Sequence, residues 1–139
     1  MIDHDKINRF LPFDLEGEPL IIVFKAGPGL VAGAEFKLYK KDSLNYLRTW
    51  KIGSQDGEET RIVIERDVKL LNKHAITWQV LVCSKDVETY KGFITIDFYQ
   101  GEKKLKPNVP TTREFDNLPP CAIKRYSKFT EALLFVARI

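Results

Sequence analysis

The sequence predicts an all-β fold, a two-sheet antiparallel β-sandwich, with a closed β-barrel as the second choice. Three observations lead there. Residues 76–99 hold two β-branched and aromatic segments, each alternating its side chains inward and outward, joined by a polar connection. They read as neighbouring antiparallel strands with one face in a core. About seven to nine such short segments recur, with turn signals roughly every eight to twelve residues. Nine Phe stand against one Met, a usage that suits flat sheet faces packed on each other.

Taken in order, residues 1–18 mix charge with Phe10, Leu11, Pro12 and Phe13, and read as an N-terminal arm that packs on the body and turns at Gly17 to Pro19. Residues 19–139 then form one β-sandwich domain. Leu20 to Lys25 is apolar, bounded by Pro19 and Gly27, and is the first strand of that body. Residues 26–33 read as a Gly/Pro loop. Over residues 34–40, Phe36 and Leu38 point one way and Glu35, Lys37 and Tyr39 the other, the pattern of a half-buried strand. Trp50 and Ile52 share a face over residues 46–52. An Asp56-Gly57 turn then leads into residues 60–65, so the two segments are expected to pair as a hairpin.

Residues 67–74 suit a helical turn or an irregular crossing between sheets. The strands of residues 76–99 follow, with Ile76, Trp78, Val80 and Val82 on one inward row and Ile94, Ile96 and Phe98 on the other. Residues 107–120 carry Pro107, Pro110, Pro119 and Pro120, which excludes a central strand or a helix and leaves a long surface connection. Residues 121–126 and 131–139 are expected to close the chain as a final hairpin. The stretch Ala132 to Ala137 is apolar on both faces; periodicity leaves strand and helix open, and its neighbours favour a strand. The topology expected is immunoglobulin-like or related. Trp78 on a mid-chain strand is similar to the buried tryptophan of immunoglobulin sandwiches. The Cys-Trp-Cys spacing is absent, so the likeness ends at architecture.

The chain has 139 residues, one ordinary domain. A fold of this size buries roughly two-thirds of its unfolded surface, so no staple is required. Net charge is +3, milder than a nucleic-acid binder usually carries. No run approaches about eighteen uncharged apolar residues, which excludes a transmembrane helix. The opening Met-Ile-Asp-His-Asp-Lys lacks the layout of a signal peptide, and the expectation is a cytoplasmic protein unless a dedicated system exports it. Cys83 and Cys121 fit that setting as free thiols, with a disulfide between them as the alternative.

Candidate chemistry is sparse. The Gly27-Pro-Gly-Leu-Val-Ala-Gly33 stretch looks like a phosphate cradle, but a strand pattern follows it and no Lys-Ser or Lys-Thr. Asp3, His4 and Asp5 are possible metal ligands on a terminus, and His74 has no second His or Cys at a chelating interval, so no metal and no cofactor is expected. Cys83 with His74 and Asp86 is an imaginable triad that nothing local marks. Glu35 with Asp97 is a carboxylate pair of the kind any acidic surface offers.

Lys40-Lys41, Lys103, Lys104 and Lys106, and Lys124, Arg125 and Lys128 (with Tyr126 and Phe129 interleaved) stand at turns or strand ends. There they guard sheet edges more readily than they bind polyanions. The function expected is a non-catalytic binding or assembly module, not an enzyme, acting through loops at one end of the sandwich. The expected partner is another protein or a second copy; nucleic acid and peripheral membrane are disfavoured. Gly29, Leu30, Val31, Phe115 and Asp116 are the expected contacts, with Leu30, Val31 and Phe115 as apolar anchors. A ligand-binding barrel or small enzyme with a cavity near Cys83 and His74 is the second reading.

Overall fold

The computed structural model describes residues 7–40, 42–86 and 91–138; Asp3, His4, Asp5 and Lys41 lie outside them. The chain forms β1 (Phe10–Phe13), β2 (Leu20–Ala26), β3 (Leu30–Tyr39), β4 (Tyr46–Gln55) and β5 (Glu59–Glu65). After a 3-10 turn at Val68–Leu71 come β6 (Ala75–Ser84), β7 (Gly92–Gln100), β8 (Lys103–Leu105) and β9 (Thr112–Phe115). A second 3-10 turn at Cys121–Ile123 precedes β10 (Ser127–Ala137). The front sheet runs β1-β10-β6-β3-β4; the back sheet runs β5-β2-β7-β8, with β9 also on β7. The fold is therefore a two-sheet sandwich. Among the described strands, β1 departs from antiparallel pairing and lies parallel to β10 with Phe10 opposite Leu134, and an isolated parallel bridge joins Ser84 to Pro120.

Period-2 patterning fixes which residues meet between the sheets. Phe36 and Leu38 of β3, Val80 and Val82 of β6, and Phe129, Leu133 and Phe135 of β10 are buried from the front. Ile22 and Phe24 of β2 and Ile94, Ile96 and Phe98 of β7 meet them from the back. A run of rings crosses the interface, Phe24 to Phe36 at 6.3 Å, Phe36 to Trp78 at 6.0 Å and Trp78 to Phe98 at 6.0 Å.

Several expectations are corrected. The two strands of residues 76–99 are not neighbours: β6 belongs to the front sheet and β7 to the back. Both carry complete inward rows of large side chains, and these are satisfied by facing each other across a core about 10 Å thick. The expected hairpin of β4 and β5 is a corner as well. The Asp56-Gly57 turn is present, with Gly57 at φ 82, but β4 pairs with β3 and β5 with β2. The corner is sealed by the Thr60 hydroxyl donating to the Gly53 carbonyl and by the Gly57 N–H donating to the Ala26 carbonyl. The closing hairpin is absent too: residues 121–123 form a 3-10 turn, and β10 pairs with β6 and β1. Residues 131–137 are strand.

The loop expected over residues 26–33 is only a turn at 27–29, and β3 already begins at Leu30. Leu30 is fully buried, because strand alternation sends it inward with Ala32 and Ala34. It is a core residue and not a contact anchor. Replacing Leu30 with Asp places an unpaired carboxylate in that core and is expected to cost about 4 kcal/mol or more, read as a large loss of the denaturant midpoint.

Candidate contact surface and an arginine–glutamate cleft

The outer face of the front sheet is built from the residues that alternate with the core rows. At one end Val31 pairs with Cys83, Gly33 pairs with both Gly53 and Leu81, and Leu81 pairs with Lys128. Cys83 and Cys121 are joined by a disulfide across 38 residues, with their Cα atoms 5.0 Å apart, so the expected free thiols are absent. The bond ties the turn at 121–123 to this face. The Ser84 N–H, which donates to the Pro119 carbonyl, fixes the approach of that segment. The result is an exposed apolar group of Leu81 at 40%, Ile123 at 54% and Tyr126 at 53%, with Val31 partly exposed.

Gly33 and Gly53 form a bare floor beside Leu81. Neither has the positive φ that would demand glycine. A Cβ would meet nothing closer than 3.9 Å at Gly33 and 3.5 Å at Gly53, so packing within the chain does not require glycine at either position. Glycine inside a strand commonly marks the close approach of another backbone or ligand. Lys124, Arg125 and Lys128 are exposed around the group and form no ion pair among the described residues.

The other proposed basic residues sit elsewhere. Lys103 and Lys104 lie on β8 and engage Asp14 at 2.8 Å and Asp97 at 3.4 Å. Phe115 is on β9 and stacks on Phe129 at 5.6 Å, a brace between the sheets. Asp116 just beyond it is exposed and reaches Lys91 at 3.8 Å. Gly29, at φ 75, donates its N–H to Asp56 Oδ1 at 3.0 Å, and Lys85 closes the same group by bonding Asp56. Glu35 and Asp97 belong to different sheets. His74 and Cys83 stand at opposite ends of β6, nine residues and roughly 30 Å apart, and the sulfur is engaged in the disulfide. That pair holds no nucleophile.

The second notable arrangement was passed over by sequence reasoning. Glu131 lies on the inward row of β10, between Phe129 and Leu133 and directly opposite Trp78. Its side chain is 14% exposed and accepts bonds from Arg9 and, at 3.1 Å, from Arg113. Arg113 lies over the Phe129 ring at 4.4 Å. A cavity of about 30 Å³ opens beneath, between β7 and β10. Residues 107–111 cover it as a strap, tied down by Asn108, which accepts from the Phe10 N–H and donates to the Asn8 carbonyl. The Trp78 indole N–H is buried here without a hydrogen-bond partner among the described residues. The signal was available: in the alternate residues Phe129, Glu131, Leu133 and Phe135, one carboxylate interrupts an apolar row.

No protein-family model, curated protein or solved structure matches this chain.

Two measurements bear on how this end is held. Replacing both cysteines with Ala is expected to lower stability by about 3–4 kcal/mol, from the freed loop entropy of the unfolded chain, with a matching fall in the denaturant midpoint. The Lys85 hydrogen bond, then the Gly29 N–H, hold the Asp56 carboxyl below its ordinary value of 3.8. A depressed folded pKa gives stability that is present above 3.8 and lost as pH falls through the folded value. Asp14, lowered chiefly by its bond from Lys103, acts with the same sign. Acidification should therefore lower the melting temperature of the native protein more than that of Asp56→Asn, while Asp14 contributes equally to both.

Proposed function

We propose that the protein is a non-catalytic binding module whose partner is another protein, docking on the outer face of the front sheet at the disulfide end. The pair Gly33 and Gly53 carries this reading. Two strand glycines that the chain's own packing does not need leave a flat floor where a partner's backbone can come close. Leu81, Ile123 and Tyr126 supply apolar contact area around it, and an exposed aromatic is a favourable anchor. The cations Lys124, Arg125 and Lys128 favour a partner with acidic residues flanking an apolar ridge, because complementary charge speeds encounter and fixes register. Of the expected contacts, Val31 stays on this surface and Gly29 and Asp116 lie in neighbouring loops; Leu30 does not take part.

Two finer readings accompany it. The disulfide supports an oxidising compartment over the cytoplasm expected from the opening residues. Among the described residues no helix is long and apolar enough to cross a membrane. An immunoglobulin-related topology is supported by the pairing of β2 with β5 and by the row β3, β6, β10, with β7 to β9 as an added unit. That topology does not itself specify a function.

A photoactivatable cross-linker at position 126 tests the contact. It is expected to give one discrete adduct with a partner protein, whereas the same group at Val63, on the edge strand β5, gives none. Because Thr60 of β5 bonds Gly53, a second control is placed at Leu70, exposed in the 3-10 turn at the other end of β6 from Cys83, and it too should give no adduct. The adduct at 126 should fade when Lys124, Arg125 and Lys128 are all changed to Glu. Equal labelling from position 126 and the controls, or an adduct indifferent to the three charges, refutes the docking surface.

A further inference from the structure

We propose that the cleft between β7 and β10 is a binding site for an anionic amphiphile, a slender apolar chain ending in a carboxylate. The site is separate from the contact surface and does not depend on it. Four observations converge. The cavity is lined by Ile94, Ile96, Phe98, Val109 and Leu133, side chains that welcome a hydrocarbon. Arg113 and Glu131 line it, and Glu131 is shared between Arg113 and Arg9, so two guanidiniums meet one carboxylate, which leaves a net positive charge and spare donors for a second anion.

Trp78, only 6% exposed, lines the same space, and its buried indole N–H has no hydrogen-bond partner among the described residues. A buried donor without an acceptor is costly, so natural cores rarely keep one. Finally, Glu131 occupies a core-facing position that a leucine would fill without any charge to desolvate. An apolar replacement for a part-buried ionic cluster is often neutral or stabilising, so stability alone does not account for the glutamate.

These facts fit a site in which Glu131 is the internal stand-in for the ligand's head group. The cavity, at about 30 Å³, is water-sized, and admitting a chain requires the strap at 107–111 to lift. The strap can do so at small cost. Pro107 and Pro110 have no N–H to lose, and its ties to the body are the Asn108 bonds and the Thr111 carbonyl accepting from Ile96. On entry the ligand carboxylate takes over the arginine donors and the Trp78 N–H, while its chain runs between the sheets.

The test uses the full chain with Trp50→Phe, which leaves Trp78 as the remaining one of the chain's two tryptophans. Dodecanoate is titrated in, with the Trp78 indole N–H resonance as readout and native mass spectrometry for stoichiometry. The expected result is a saturable shift and a 1:1 complex, with dodecanol binding at least about tenfold more weakly. Arg113→Gln, or Arg9→Gln if the first fails to fold, should weaken binding by about tenfold.

Glu131→Gln should tighten it by a similar factor while lowering the melting temperature, since it removes the competitor and also a brace. A residue that only braces the fold would not tighten binding when removed. The proposal is overturned by an indole resonance that stays still up to the solubility limit, by dodecanol binding as well as dodecanoate, or by Glu131→Gln weakening binding.

Discussion

The structure depends on one run of rings, Phe24, Phe36, Trp78 and Phe98, which passes from the back sheet to the front and returns to the back. Each ring removes on the order of 150–250 Å² from water, and their tilted and edge-on contacts set the spacing at which the sheets can meet. Phe36 and Trp78 are cross-strand partners on β3 and β6, so they also lock the register of those strands. A one-residue slip would turn every inward side chain of β6 to solvent. The order of the other strands follows from satisfying this pair. β10 and β4 complete the front sheet on either side, while β2 and β7 present the facing rings.

That constraint explains why so many consecutive strands change sheets. β1 to β2, β2 to β3, β4 to β5, β5 to β6, β6 to β7 and β9 to β10 each cross from one layer to the other. A strand with a full apolar row gains most by facing a second such row, and its chain neighbour is often the nearest one available. The crossings are sealed by local hydrogen bonds where they are tight, as at Asp56 and Gly57, and by the disulfide where the chain returns from β9 to β10. The disulfide end is accordingly tied both covalently and by the Ser84 N–H donating to the Pro119 carbonyl. Rigid attachment there keeps Ile123 and Tyr126 exposed, because residues 121–126 cannot fold away over the sheet they are bound to.

The inward rows were legible in the sequence. Trp78, Val80, Ile94, Ile96 and Phe98 are core residues, as period-2 alternation requires, and the two-layer class follows from them. What alternation does not contain is the identity of a strand's lateral partner. β6 with β7, and β4 with β5, carry the local marks of hairpins. Only the competition among all apolar rows sends the members of each pair to different sheets. Leu30 was misplaced for a related reason: small residues around it suggest a loop, while its parity with Ala32, Ala34 and Phe36 puts it in the core. The disulfide joins residues that are distant in sequence and carry no local mark. Glu131 stands out by parity alone, as the one charge among Phe129, Leu133 and Phe135, but the apolar stretch that follows it masks the signal.

Both surfaces singled out by the geometry meet on β10. Lys128 on its outer face edges the glycine-floored patch, and Phe129 and Glu131 on its inner face form one wall of the cleft. Successive side chains of one strand serve opposite sides of the sheet, so the two lie within a few residues of each other and yet are separated by the sheet itself. Communication between them would have to pass through the backbone of β10. That backbone is paired along one edge with β6 from Ser127 to Leu134 and along the other with β1 from Leu134 to Ala137. A strand held on an already fixed neighbour through its middle has little freedom to shift in response to an occupant on one side. The strap over the cleft, by contrast, is held by the few bonds of Asn108 and Thr111 and belongs to neither ladder. Motion at the cleft is therefore confined to the strap, and the outer patch keeps its shape whether or not the cleft is filled.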